Sequence, residues 1–305
     1  MIKKIALIII LSLGFVIVSC STQKSFKTTN NINFDSYGTA LINEVRSGNL
    51  EIVQYLVENG ANINAKDDDK GRTALMFASR DGHLEVVKYL VESGANINAK
   101  NDGGWTALMY ASSHGHLEVV KYLVENGANI NAEDDEGWTA LMLASSYGHL
   151  EVVKYLVENV ADINAKGDGG LTVLMYASAN GKFEVVEYLV ENGTDINAKD
   201  DKGRTALMFA SRDGHLEVVK YLVESGANIN AKADYSLTAL MFASYNGKFE
   251  VVEYLIEKGA NVNAKNNDGL TALDFAKIYF KNEISSLMRD KIPSVEKLFS
   301  ADKNK

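Results

Sequence analysis

The chain has one proline and one cysteine in 305 residues. The lone proline, Pro293, leaves no Pro-rich linker or tract, and the lone cysteine, Cys20, leaves no internal disulfide to form. Basic charge is short: 31 Lys and Arg stand against 40 Asp and Glu, a formal net charge of −9. That balance argues against nucleic acid, whose binding needs a basic stripe to displace counterions. Long hydrophobic runs are scarce too. The longest, Ile5 to Val16, is too short to span a bilayer comfortably. Catalytic constellations are missing: no Ser sits in G-x-S-x-G, and the Gly residues match no phosphate-binding loop.

What the chain has in abundance is repetition. Thr73, Thr106, Thr139, Thr205 and Thr238 each open a Thr-Ala-Leu-Met element, Thr172 opens a Thr-Val-Leu-Met, and Thr39 and Thr271 open degenerate copies. Successive copies are 33 residues apart, except the first pair, 34 apart. A fixed period of this size means stacked units, so the usual length-based estimate of two domains does not apply. Lys70–Lys100 and Lys202–Lys232 are identical, and Gly181–Leu189 recurs as Gly247–Leu255. Whole repeats have been duplicated.

The unit from Gly71 to Lys100 shows the local logic. Thr73 is an N-cap residue ahead of a helix over Ala74–Arg80, whose small and apolar Ala74, Leu75 and Ala78 permit close approach. Gly82 ends it in the left-handed conformation. Leu84, Val87, Leu90 and Val91 predict the buried stripe of a second helix, ended by Gly94. Asn96-Ile97-Asn98-Ala99 then leads to a polar tip suited to a tight turn. Val160 breaks the pattern, standing where other complete units place Gly, as at Gly127 and Gly193. A β-branched residue in a left-handed turn costs roughly 1–2 kcal/mol, which predicts a weak turn there.

The pattern G-x-T-A-L-M-x-A-x-x-x-G-H-L-E-V-V-x-Y-L-V-E-x-G-A-N-I-N-A resembles the ankyrin repeat, over about Tyr37 to Met288. The resemblance implies an all-α solenoid of about eight helix-turn-helix units with hairpin fingers. The units fall at about 37–69, 70–102, 103–135, 136–168, 169–201, 202–234, 235–267 and 268–288, with a tail over 289–305. One departure is consistent: the family's Thr-Pro-Leu-His has become Thr-Ala-Leu-Met. In the family the His ties adjacent loops, which Met is not expected to do, and Ala loses proline's preset φ. Both changes predict a less rigid stack. The ends read as caps. Asn43 and Glu44 replace the Phe77 and Ala78 of the next unit; in the last, Asp274 replaces Met and Phe280 the inter-helix Gly. A further short helix is expected over Pro293–Phe299.

The N-terminus reads differently. Lys3 and Lys4, the apolar Ile5–Val16 and then Ile17-Val18-Ser19-Cys20 describe a secretory leader over residues 1–19. With Cys first after the cut, the segment resembles the lipobox of bacterial lipoproteins, implying acylation of the Cys20 thiol. Residues 20–36, rich in Ser, Thr, Asn and Lys, then form a flexible tether. The expected location is the bacterial cell envelope, lipid-anchored and facing the periplasm or the cell surface.

Candidate chemistry is thin. His83, His116, His149 and His215 occupy the Gly-His position between helices and are expected to cap or hydrogen-bond that turn. Rigidly spaced by a repeat, they cannot converge on zinc. The acidic finger tips, Asp67–Asp69, Glu133–Glu136, Asp200 and Asp201, lack the spacing of a calcium loop and read as solvated carboxylates. No metal, cofactor or catalytic residue is expected. Function is sought where the repeats differ. The residue before each Thr runs Arg72, Trp105, Trp138, Leu171, Arg204, Leu237 and Leu270. Its two Trp, the only ones in the chain, are expected side by side, either as a binding hot spot or as structural packing. Partners of ankyrin proteins usually contact the fingers and the exposed edge of the first helices. That edge carries Phe77, Tyr110, Leu143, Tyr176, Phe209 and Phe242, mainly core-filling, and the turns add Arg80, His114, Tyr147, Arg212 and Tyr245. The partner-binding set is therefore Arg72, Trp105, Tyr110, His114, Trp138, Leu143, Tyr147, Tyr176, Arg204 and Tyr245. The expected function is a monomeric, non-enzymatic scaffold that binds a protein partner. The alternative is a protective envelope lipoprotein that shields an enzyme or neutralises a toxin.

Overall fold

The structure, a computed structural model, describes residues 8–10, 15–17 and 34–282, with side chains from 38 to 278. Cys20, the tether up to residue 33 and the tail after residue 282 lie outside the described residues. Two short strands, β1 (Ile8–Ile10) and β2 (Phe15–Ile17), pair antiparallel with Ile8 opposite Ile17. Everything else described is an all-α solenoid.

Each unit contributes an inner and an outer helix. The inner set is α1 (Phe34–Arg46), α3 (Ala74–Asp81), α5 (Ala107–Ser113), α7 (Ala140–Tyr147), α9 (Val173–Ala179), α11 (Ala206–Asp213), α13 (Ala239–Tyr245) and α15 (Ala272–Asn282). The outer set is α2 (Leu50–Glu58), α4 (Leu84–Glu92), α6 (Leu117–Glu125), α8 (Leu150–Glu158), α10 (Phe183–Glu191), α12 (Leu216–Glu224) and α14 (Phe249–Glu257). Inner helices stack on inner helices, outer on outer, and each inner helix from α1 to α13 packs on the outer helix that follows it.

Thr starts the inner helices as the sequence predicts. Thr73, Thr106, Thr139, Thr172 and Thr238 accept a side-chain bond from the backbone N–H of the Met three residues on. Met has a part the sequence did not reveal. The sulfurs of Met76, Met109 and Met175 accept weakly from the backbone N–H of Thr73, Thr106 and Thr172, at 3.4–3.5 Å. Asp274 does the same with a carboxylate, accepting from Thr271 N–H at 2.9 Å. Lacking a glycine at its ninth position, α15 runs on unbroken to Asn282.

The second-helix stripe is turned slightly from expectation. Val86, Val87 and Leu90 are buried in α4, while Leu84 and Val91 are only half-buried. Such faces cannot be covered within one unit, and full burial of each large aliphatic contributes roughly 1.5–3 kcal/mol, so the stack stabilises what the unit cannot.

The loosening predicted from the loss of His is answered by other ties. A ladder of finger Asn residues joins neighbours: Asn98 accepts from Asn129 N–H at 2.7 Å and donates to the Gly127 carbonyl at 3.0 Å. Asn131, Asn197 and Asn230 repeat the pair of bonds at later junctions. Finger backbones also join, as where Asp135 N–H donates to the Gly103 carbonyl. The inter-helix His residues belong to this set, which corrects their expected role. None caps its own turn. The Nε2 of His83, His116, His149 and His215 instead meets the carbonyl of Arg46, Arg80, Ser113 and Ala179 in the preceding unit, at 2.8–3.2 Å. The imidazole lies over that unit's turn glycine; a Cβ on Gly82 would meet His116 at 2.6 Å. Gly82 is thus required twice, for its φ of 75° and for this approach.

Candidate protein-binding face

The variable side chains are projected by one recurring turn. At five finger bases an Asp or Asn side-chain oxygen accepts the backbone N–H of the residue before Thr. Asp67 holds Arg72 (2.6 Å), Asn101 holds Trp105 (2.8 Å), Asp134 holds Trp138 (2.8 Å), Asp200 holds Arg204 (2.7 Å) and Asn266 holds Leu270 (2.8 Å). This local bonding fixes the departure angle of each side chain.

In units two and six the departing residue is Arg, and it is consumed within the chain. Arg72 donates from Nε and Nη2 to Asp67 Oδ2 at 2.9 and 2.7 Å, and its guanidinium lies 4.7 Å from the centre of the Phe77 ring. Arg204 donates from Nε to Asp200 Oδ2 at 2.6 Å and lies 4.6 Å from Phe209. Burial pushes the Asp67 carboxyl up, but the bonds from Arg72 outweigh it and hold the group below its ordinary value. A second Arg flanks each ring, Arg80 at Phe77 and Arg212 at Phe209, and pairs with the adjacent Asp81 or Asp213. Arg72 and Arg204, both in the expected partner-binding set, are thus ion-paired within the chain.

Units three and four place Trp there. The Trp105 ring packs 5.0 Å from Tyr110 of its own unit, and Trp138 packs 4.0 Å from Tyr176 of the next. The indoles thus rest on tyrosines, and both line one groove of about 480 Å³. Leu143 and Tyr147 of α7 complete its apolar wall, and Asp134, Asp135 and Glu136 form an acidic rim. Leu143 is 3% exposed, so it is floor rather than exposed edge, whereas Tyr147 is 58% exposed. Tyr110 does not line the opening; its hydroxyl accepts from Asn101 Nδ2 at 3.1 Å. Tyr176 fits because Gly167 takes the finger-base position, where a Cβ would sit 3.2 Å from its hydroxyl. Burial, followed by the charges of Asp134, Glu136 and Asp168, pushes the Tyr176 phenol up to about 12.

The remaining expected residues lie apart. His114 is exposed, its Nδ1 within 3.0 Å of the Tyr110 carbonyl. Tyr245 is half exposed and meets Phe275 edge-on at 6.0 Å, in another part of the stack. The structure therefore brings together Trp105, Trp138, Leu143 and Tyr147, with Tyr110 and Tyr176 as props. The acidic rim was read from sequence as solvated tips. Its signal was there: Asp134 shares a column with Asp67 and Asp200 but is followed by Trp instead of Arg.

Among the described residues no three His, Cys, Asp or Glu side chains are grouped to hold a metal ion, and no helix is long and apolar enough to cross a membrane. A stack of near-identical helix pairs defines a repeat scaffold. A family model of ankyrin repeats in three copies matches residues 13–101, 99–167 and 161–233, and a second, of ankyrin repeats in many copies, matches 222–276. The chain belongs to the ankyrin-repeat family, whose members are generally non-enzymatic protein–protein interaction modules. No curated protein matches it.

Proposed function

We propose that the chain is an envelope-tethered monomeric scaffold that docks one protein partner across its fingers and inner helices, centred on the groove of Trp105, Trp138, Leu143 and Tyr147. The observation that carries this reading is the groove itself. It holds both tryptophans of the chain, in two adjacent units that lack the self-paired Arg–Phe arrangement. Buried aromatic anchors ringed by polar groups dominate binding energy at protein interfaces. The tether rests on the Lys3–Cys20 pattern, and Cys20 acylation would place the stack at a membrane surface without a spanning helix.

Two experiments test these claims separately. Cross-linking the native chain in cells and identifying the captured protein gives the partner. The Trp105→Ala, Trp138→Ala double variant should then lose at least tenfold in affinity for it, and undiminished capture refutes the groove as centre. Cys20→Ala should abolish palmitate labelling and leave precursor uncleaved, and normal processing of that variant refutes the anchor.

A further inference from the structure

The paired units show what the open groove lacks. In units two and six a guanidinium bridges a finger-base carboxylate and an aromatic face. In unit four the carboxylate is present, as Asp134, with its Oδ1 occupied by the N–H groups of Glu136 and Trp138. No cation pairs with it among the described residues, and Asp135 and Glu136 beside it are exposed and equally unpaired. The residue that supplies the Arg elsewhere is here Trp138. The ring that receives it is here the smaller Leu143, which leaves the groove open. The charge environment is negative beneath the groove as well: after burial, the charges of Asp134, Glu136 and Asp168 push the phenol of Tyr176 upward.

We infer that the groove takes an arginine side chain of the partner, its guanidinium on the indole faces and its N–H groups on Asp134 and the acidic rim, in the place that Arg72 and Arg204 fill for their own units. This rests on the docking reading and names the partner's chemistry: a basic segment presenting Arg. Arg suits the site because its planar fork both stacks on an aromatic face and pairs bidentately with a carboxylate, which an ammonium does not.

The chain carries its own reporter, because both of its tryptophans line the groove. Full-length protein is titrated with the blocked tripeptide Gly-Arg-Gly, and with its citrulline and lysine counterparts, while tryptophan fluorescence is followed. Arginine should give a saturable change at least tenfold tighter than citrulline, the neutral isostere, and tighter than lysine. Asp134→Asn should weaken the arginine response at least tenfold. That variant keeps the turn, because Asn101 and Asn266 hold the same finger-base bond in their units. Trp138→Arg, which recreates the carboxylate half of the Asp200–Arg204 arrangement, should fill the groove from within and silence the response of Trp105. An equal response to citrulline or lysine overturns the inference, as does a response that survives Asp134→Asn. If these fail while capture of the cross-linked partner still depends on the tryptophans, the docking face stands and only its arginine is lost.

Discussion

Val160 offers the cleanest test of the backbone reasoning. Its φ is 64°, whereas Gly60, Gly94, Gly127, Gly193, Gly226 and Gly259 hold the same turn at 85–95°. The Val160 side chain is 80% exposed, so its removal sacrifices almost no burial. Its carbonyl, which accepts from Asn131 Nδ2, is kept by any replacement. What remains is the left-handed conformation, which costs an L-residue roughly 1–2 kcal/mol. Glycine returns roughly 0.4–1 kcal/mol of that through the greater freedom of its unfolded chain. The Val160→Gly variant should therefore be more stable by roughly 0.5–1 kcal/mol, a rise of roughly 1–4 °C in melting temperature for a domain of this size. Thermal unfolding followed by circular dichroism measures it. Gly127→Val is the matched control. Nothing lies within 4 Å of a Cβ built on Gly127, so that variant suffers the backbone cost without a clash and should lose a comparable amount. A flat or lowered melting temperature for Val160→Gly, or a neutral Gly127→Val, would refute the account.

Three further outcomes follow from the stack. Ser79, Ser112, Ser145, Ser178, Ser211 and Ser244 form a buried column whose hydroxyls have no hydrogen-bond partner, so Ser145→Ala should stabilise by roughly 1 kcal/mol in denaturant titration; a loss means the hydroxyl is satisfied. Asn98→Ala removes two ties to the next unit and should cost roughly 1–2 kcal/mol, while Asn126→Ala, which loses only a bond within its own helix, should cost less. The bonds from Thr271 hold the Asp274 carboxyl below its ordinary value, so its stabilisation is present above the unfolded carboxylate pKa of about 3.9 and is lost as pH falls through the folded one. The melting-temperature gap between the native chain and Asp274→Asn should accordingly be largest near neutrality and shrink in acid; a gap independent of pH refutes the ionic cap.

What could be read in the sequence was local. Thr caps, the left-handed Gly82 and the anomaly at Val160 each follow from a few adjacent residues. The same holds for α15, whose continuation follows from the missing glycine. What escaped was the contact between units. The bonds from His116 to Arg80 and from Asn98 to Asn129 join residues about one repeat apart, and their partners are set by the rise of the stack, which periodicity alone does not give. The groove was half legible for the same reason. The tryptophans stood out by rarity, but their seats on Tyr110 and Tyr176 depend on which neighbour each ring reaches, and the self-pairing of Arg72 and Arg204 appears only when finger and helix columns are seen together.

The identity of Lys70–Lys100 with Lys202–Lys232 has a consequence for how such a chain can change. Excision of residues 101–232 joins Lys100 to Ala233, the very context Lys232 already has. Every inter-unit contact is regenerated by a match that evolution has already tried. The shortened chain retains both end caps but contains neither tryptophan. Fold and the proposed groove are therefore separable by a single seamless deletion: the excised block is a cassette that carries both tryptophans, set between two identical couplings that carry none.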